Sequence, residues 1–98
     1  MPTYRLLAVA RADAPAEGLS EVFRGVARTV FREKGQMRKV GNLGVRPLPY
    51  GVRGGPREVH SEACLVACTY DVAPPALAEV ERELRASPFI LRFFQLRE

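Results

Sequence analysis

The order of hydrophobic patterns along the chain restricts the fold more than any other feature. Short apolar runs at 3–10 and 63–72 are typical of buried strands, and a third run at 89–96 carries three aromatic residues. Between the first two runs, the pattern of Gln36 to Val45 predicts an extended strand that is interrupted by glycines. Prolines follow at positions 47 and 49. Because proline lacks the N–H that an inner strand must donate, we expect this strand at a sheet edge.

Two amphipathic segments separate these strands. The first has apolar residues at helical spacing and predicts a helix from Pro15 to about Lys34, with Asp13 as a candidate N-cap and Gly35 as its C-terminal stop. Its apolar positions are Leu19, Val22, Phe23, Val26, Val30 and Phe31. The second helix opens at Pro74-Pro75. Its apolar face consists of Leu77, Val80 and Leu84.

The resulting order, βαββαβ, predicts an α+β fold. Two right-handed β-α-β units give a ferredoxin-like two-layer sandwich, with a four-stranded antiparallel sheet and both helices on one face. The other face is expected to be open and partly apolar, and such faces usually meet a partner. With 98 residues, the whole chain, 1–98, is expected to form one domain.

Charge is distributed unevenly between the two halves. Residues 1–57 carry 11 basic and 4 acidic side chains, a net +7, whereas 58–98 carry 4 basic and 7 acidic ones, a net −3. These sum to the overall +4, and 13 of the 15 cations are arginine, which suits phosphate and carboxylate groups. The basic half indicates an anionic partner, and nucleic acid is the first candidate. The alternative is that the cations form a solvated surface.

Two groups of cations are candidates for RNA contacts. The stronger candidate follows the glycine-rich second strand and the predicted loop 51–60, and consists of Arg38, Lys39, Arg46, Arg53 and Arg57. Contacts there would position phosphates and be sensitive to salt, without base specificity of their own. A second candidate is the helical stripe Arg24, Arg28 and Arg32, which would alternatively form a solvated helix face.

The sequence disfavours catalysis and metal binding. Cys64 and Cys68 lie four apart in a predicted strand, about 13 Å along it, which excludes a disulfide or one tetrahedral metal site between them. His60 is the only histidine. Arg11 and Asn42 occupy roughly the positions used by acylphosphatases, but the segment after Arg11 lacks their phosphate-holding glycine run. We therefore expect no metal, no cofactor and no small-molecule substrate.

Two further classes are disfavoured. The predicted third strand has one aromatic residue, Tyr70, at its end, which argues against RNA-recognition-motif stacking of bases on the sheet. No apolar run approaches the ~20 residues needed to span a bilayer, so no membrane partner is expected. The N-terminus leads directly into a strand pattern, and we expect no signal peptide.

The stretch from Gly41 to Val52, with Gly44, Arg46, Leu48, Tyr50 and Val52 in order, resembles the signature of the bacterial-type small-subunit ribosomal protein number six family. Its Asn-Leu-Gly lead-in and Leu-Pro-Tyr are similar to the mitochondrial branch. The opening Pro-Thr-Tyr, the proline at the second helix start and the final Leu-Arg-Phe-Phe also fit the family.

This resemblance implies a non-catalytic structural protein of the small ribosomal subunit, without cofactors, that binds small-subunit rRNA. The implied partners are small-subunit protein number eighteen and other small-subunit proteins, docked through the apolar edge and open sheet. Arg46 is carried over to RNA contact or to the architecture of the site. Leu48 and Tyr50 are carried over as motif members that support the hairpin or the partner surface, and Tyr4 is expected at the partner surface. The implied location is mitochondrial, with the bacterial cytoplasm or chloroplast as alternatives. A ferredoxin-like regulatory or dimerisation module remains the alternative function.

Overall fold

The computed structural model describes the backbone of residues 1–55 and 58–98 and the side chains of 1–48 and 60–98. Four strands form one sheet in the order β2-β3-β1-β4, and every neighbouring pair is antiparallel. The predicted ferredoxin-like fold is confirmed. The elements are β1 (Thr3–Arg11), α1 (Ala16–Arg32), β2 (Gln36–Gly55), β3 (Glu58–Asp71), a short 3₁₀ turn (Pro74–Ala76), α2 (Leu77–Ala86) and β4 (Ile90–Arg97).

The core lies between the helices and one face of the sheet. Alternate residues of the two central strands point into it, because successive side chains of a strand face opposite ways. From the strands come Tyr4, Leu6, Ala8 and Ala10 of β1 and Cys64, Val66, Cys68 and Tyr70 of β3; the helices add Leu19, Phe23, Val26, Val30, Val80 and Leu84. The helical spacing seen in the sequence therefore identified most of the buried helix face.

The end of α1 differs from the prediction. The helix stops at Arg32, and the residue in the left-handed region is Lys34 (φ 63°), not Gly35. The Gly35 N–H donates to the Val30 carbonyl at 2.8 Å and the Lys34 N–H to the Phe31 carbonyl at 3.0 Å, which is a Schellman motif. Gly35 is needed for a different reason: a Cβ there would lie 2.2 Å from the carbonyl oxygen of Asp71.

The predicted N-cap is also wrong. Because the helix begins at Ala16, its N-cap residue is Pro15, which has no side chain able to cap it. Asp13 lies two residues too early, and its carboxylate instead accepts a hydrogen bond from Arg11 Nε at 3.3 Å.

The predicted loop at 51–60 is wrong as well. β2 runs on to Gly55 and β3 begins at Glu58, so the two strands extend as one long hairpin. Val52 pairs with His60, Arg53 with Val59 and Gly55 with Glu58. The physical reason is that each strand satisfies the backbone of the other, so glycines that would end an isolated strand are tolerated here. The predicted edge position of β2 is confirmed.

Candidate nucleic-acid interface

An irregular segment in the middle of β2 shapes the candidate surface. The pairing of β2 with β3 shifts register between Asn42 and Gly44, where Gly44 has φ 83°. The Asn42 side-chain oxygen accepts the Gly44 N–H at 2.8 Å, and Arg46 Nε donates to the Leu43 carbonyl at 3.1 Å. Gly44 is therefore required by its backbone conformation, and Arg46 helps to hold the bulge that it follows.

The structure places three of the five predicted RNA-binding cations on β2. Arg38, Lys39 and Arg46 are all exposed. The Arg38 Nε donates to the Asp71 carboxylate at 2.7 Å, so this guanidinium also holds β2 to the end of β3. The side chain of Arg53 and the whole of Arg57 lie outside the described residues.

Asp71, at the end of β3, is the only buried acidic residue among those that the structure describes. Its second oxygen accepts a hydrogen bond from the Thr3 hydroxyl at 2.5 Å. The Thr3 hydroxyl and then the Arg38 guanidinium lower the pKa of this carboxyl, against the effect of burial, which raises it. Asp71 is therefore held ionised and ties β1, β2 and β3 together at one end of the sheet.

The three predicted partner-contact residues have different surroundings. Leu48 is half-buried on β2, and the side chain of Tyr50 lies outside the described residues. Tyr4 belongs to the core and is only 6% exposed, so its ring is positioned to stabilise the fold. A partner contact through Tyr4 does not fit this burial. The exposed apolar residues nearby are instead on the β2 edge: Val40, Leu43 and Val45.

The arginines on α1 lie on its solvent face. Arg24 and Arg28 both pair with Glu21, at 3.6 and 2.9 Å. The Arg28 guanidinium, by hydrogen bond and by charge, lowers the pKa of Glu21. Two of the three positive charges in the stripe thus share one carboxylate. This arrangement agrees with a solvated helix face and leaves β2 as the stronger candidate.

The sheet register brings further cations onto the open face. Ala63 of β3 lies between Arg11 of β1 and Arg46 of β2. Six residues along β3, Thr69 lies between Arg5 and Lys39 in the same way. Sequence reasoning missed Arg5 and Arg11 as surface candidates. The signal was available in the alternation of β1, which puts them on the face opposite to the core residues of that strand.

Among the described side chains, those of residues 1–48 and 60–98, no group of three His, Cys, Asp or Glu is able to hold a metal ion. Both cysteines are free and buried, and burial raises the pKa of Cys68 to about 11. Within the same residues, no helix is long and apolar enough to cross a membrane.

These features define a ferredoxin-like domain. Its candidate binding surfaces, among the described residues, are an open sheet face and a basic sheet edge. The sequence matches the family description Ribosomal protein S6 over residues 3–97. The chain belongs to this family of small-subunit ribosomal proteins, which are structural proteins and not enzymes. The resemblance found in the sequence is therefore confirmed.

Relatives from bacteria and from a mitochondrion are similar to the chain. Small ribosomal subunit protein bS6 of Bartonella henselae is 32% identical over 99% of this chain and 68% of its own length. Small ribosomal subunit protein bS6m of Drosophila melanogaster is 34% identical over 94% and 61%. The chain thus spans between 61 and 68% of these two relatives.

The fold is similar to that of a solved family member. The crystal structure of 30S ribosomal protein S6 from Thermotoga maritima superposes with a TM-score of 0.82, covering 99% of this chain and 87% of that one. Since the sequences are 20% identical, this comparison supports the fold alone.

Proposed function

We propose that this protein binds small-subunit rRNA and pairs with small-subunit protein number eighteen, and so supports assembly of the small subunit. The observation that carries the proposal is the placement of Lys39 and Arg46, exposed on an irregular edge strand, in a chain of this family. Irregular, glycine-containing backbone allows a phosphate to approach closely, and arginine offers a planar fork of donors.

The RNA contacts are proposed along β2 and its hairpin, through Arg38, Lys39, Arg46, Arg53 and Arg57. Of these, Arg46 is the central residue, because its side chain lies just after the bulge at Gly44 and is exposed. Phosphate contacts of this kind release counterions and weaken as salt rises. They would position the protein on the RNA and leave base recognition to other components.

The protein partner is proposed to dock along the β2 edge. This edge presents Val40, Leu43 and Val45, which are 58, 47 and 51% exposed, and Leu48 continues it. Tyr50 belongs to the same strand. Exposed apolar residues along the free edge of a sheet are typical of a surface that a partner covers. Other small-subunit proteins would complete the surroundings in the assembled particle.

We propose a location in the mitochondrial small subunit, with the bacterial cytoplasm and the chloroplast as alternatives. The Asn-Leu-Gly and Leu-Pro-Tyr segments and the similarity to the mitochondrial relative from Drosophila melanogaster support the mitochondrial branch. Comparable similarity to bacterial relatives keeps the bacterial alternative in place. Imaging of a tagged chain in the source cell, beside a mitochondrial marker, separates these locations.

Sedimentation of the tagged chain from lysate, at low salt and at roughly 0.5 M salt, tests the proposal, because loosely adsorbed RNA is lost between these conditions. The native chain should stay with small-subunit rRNA at both salts. Arg46→Ala should weaken incorporation while remaining folded, and Arg24→Ala on the helix face should not. Normal incorporation of folded Arg46→Ala would contradict the role of Arg46.

The alternative function, a regulatory or dimerisation module, has a different signature in the same gradient. Such a protein would run as a free dimer at both salt concentrations and would not follow the rRNA. That result would reject the ribosomal interaction proposed here.

A further inference from the structure

We infer that the open face of the sheet is a second RNA contact, in which Arg5 and Lys39 hold one backbone phosphate above Thr69. This inference rests on the proposed RNA binding and assigns it a second surface, which extends from β2 across β3 to Arg5 of β1. It brings in Arg5, Thr69 and Glu98, which neither the family signature nor the β2 edge includes.

The site is a depression of about 640 Å³ at one end of the open face. Its floor consists of small side chains, because Gly41 and Ala67 are paired in one row and Thr69 follows in the next. A Cβ at Gly41 would meet nothing within 4 Å, so the depression is open on the β2 side. Small floor residues allow a sugar-phosphate backbone to come close to the sheet.

One cationic residue lies on each side of this floor. Arg5 and Lys39 are the register partners of Thr69 on the two neighbouring strands, which places their Cα atoms about 10 Å apart at the usual strand spacing. Both residues are exposed. Within the part of the chain that the structure describes, Lys39 makes no ion pair, and Arg5 makes one, to Glu98 at 2.7 Å.

A phosphate that binds Arg5 must replace the carboxylate of Glu98. Both side chains are substantially exposed, so their interaction is weak in water and a phosphate can replace the carboxylate. Glu98 then acts as an internal competitor for the RNA. Removing the positive charge of Arg5 and removing the negative charge of Glu98 should therefore change RNA affinity in opposite directions.

The charges on this face favour RNA over a basic protein. At the far end of β3, the row containing Ala63 has Arg11 and Arg46 on its two sides, and Arg92 is the register partner of Val9. This second basic row lies about 20 Å from the first, at ~3.3 Å per residue over six residues. A single RNA strand running along β3 could meet both rows.

The bases of such a strand would not stack on β3. Its aromatic residue, Tyr70, faces the core and is fully buried. On β4, however, Phe94 is 51% exposed and pairs with Leu7, which in turn pairs with Ala67 of the floor. The face thus offers phosphate contacts with one aromatic ring at the margin, which is typical of sequence-tolerant binding to a single strand.

The test is a filter-binding assay of the full chain with an RNA transcript of the central domain of the small-subunit rRNA from the source organism. The affinity is measured over a range of salt concentrations. Arg5→Gln should weaken binding about 3- to 10-fold and lower the slope of log affinity against log salt by ~0.7 to 0.9. Glu98→Gln should strengthen binding about 2- to 5-fold. Thr69→Glu, which puts a carboxylate on the floor, should weaken it more than Arg5→Gln.

The matched control is an ion pair of the same kind on the helix layer. Arg82 and Glu79 of α2 are joined at 2.9 Å, so Arg82→Gln and Glu79→Gln change the net charge identically but far from the open face. Both should leave affinity within about 2-fold of the native chain. Thermal melting of every variant checks that the fold is retained, and Arg5→Gln, an exposed change, serves if Thr69→Glu does not fold.

The outcomes separate this inference from the proposed function. If the native chain binds no rRNA, both fail. If it binds and Arg46→Ala weakens binding, while Arg5→Gln and Glu98→Gln behave like their controls, the open-face site is rejected and β2 alone is the contact. If Thr69→Glu instead converts a dimer of the native chain to a monomer in size-exclusion chromatography, the face belongs to a second copy.

Discussion

The central strands β1 and β3 and the edge strand β2 differ in the regularity of their pairing and in the burial of their side chains. β1 and β3 pair in an unbroken register from Thr3 with Asp71 to Arg11 with Ala63. By contrast, the register between β2 and β3 shifts four times, and β2 leaves Val40, Leu43 and Val45 exposed. The central strands bury one face under the helices, whereas β2 extends beyond them as a hairpin with β3.

This difference separates the strands that stabilise the fold from the strand that carries most of the residues proposed to bind. A buried face fixes the register of a strand, because a slip of one residue would turn its whole apolar set to solvent. β2 is freer of this requirement, so it accommodates glycines, prolines and a bulge. Lys39, Arg46 and several apolar side chains of this strand are exposed. Stability is thus concentrated in the centre, and most of the residues proposed to bind lie at the edge.

The largest expected effect compares the same substitution in the core that covers the central strands and on β2. Leu84 of α2 is fully buried, so Leu84→Ala should lower the free energy of unfolding by about 2–5 kcal/mol. Leu43 on β2 is exposed, and Leu43→Ala should cost less than about 1 kcal/mol. Urea denaturation of both variants measures the difference. Equal costs would show that β2 is part of the cooperative core.

A pair of glycines tests the same contrast at the backbone. Because a Cβ at Gly35 would lie 2.2 Å from the Asp71 carbonyl oxygen, Gly35→Ala should destabilise the protein by roughly 1–3 kcal/mol. A Cβ at Gly41 meets nothing within 4 Å, so Gly41→Ala should be neutral or stabilising by up to ~0.5 kcal/mol. Thermal melts read both changes. A stable Gly35→Ala variant would mean that the end of α1 can move away from β3.

Asp71 links the two regions, and its ionisation should make that link depend on pH. The Thr3 hydroxyl and Arg38 hold the pKa of the folded Asp71 carboxyl below its ordinary value of 3.8, so the unfolded chain binds this proton more readily. The stabilisation is present above about pH 4 and is lost as the pH falls through the folded pKa.

Asp71→Asn should remove this part of the acid sensitivity. Urea denaturation between about pH 2.5 and pH 6 compares it with the native chain, and Asp13→Asn, at an exposed carboxylate, is the matched control. An unchanged acid profile in Asp71→Asn would assign the acid sensitivity to other carboxyls.

The smallest expected effect concerns thiol reactivity in the core. Burial raises the pKa of Cys68 to about 11, so almost no thiolate is present at pH 8, and Cys64 is buried on the same face of β3. Neither thiol should react with a disulfide reagent until the protein unfolds, and Leu84→Ala should speed the reaction. Rapid labelling of the native chain would show that the core opens locally.

The sequence by itself determined the order of the elements and most of the core. Helical spacing identified Val26, Val30 and Leu84 as buried, because apolar periodicity directly reflects which face a helix turns inward. The prolines placed β2 at an edge, and the spacing of the cysteines excluded a bridge between them. Two residues of the family signature have a local structural role: Gly44 adopts a positive φ, and Arg46 lies next to the resulting bulge. The sequence therefore also identified the family.

Only the tertiary structure decided the features that depend on contacts between distant segments. The continuation of β2 to Gly55 came from pairing with β3, and no local signal outweighed the glycines there. The requirement for Gly35 came from the carbonyl of Asp71, 36 positions away in the sequence. The row of Arg5, Thr69 and Lys39 exists because three strands align in one register. Periodicity records which way a side chain faces, but only the packed sheet determines which side chains face each other.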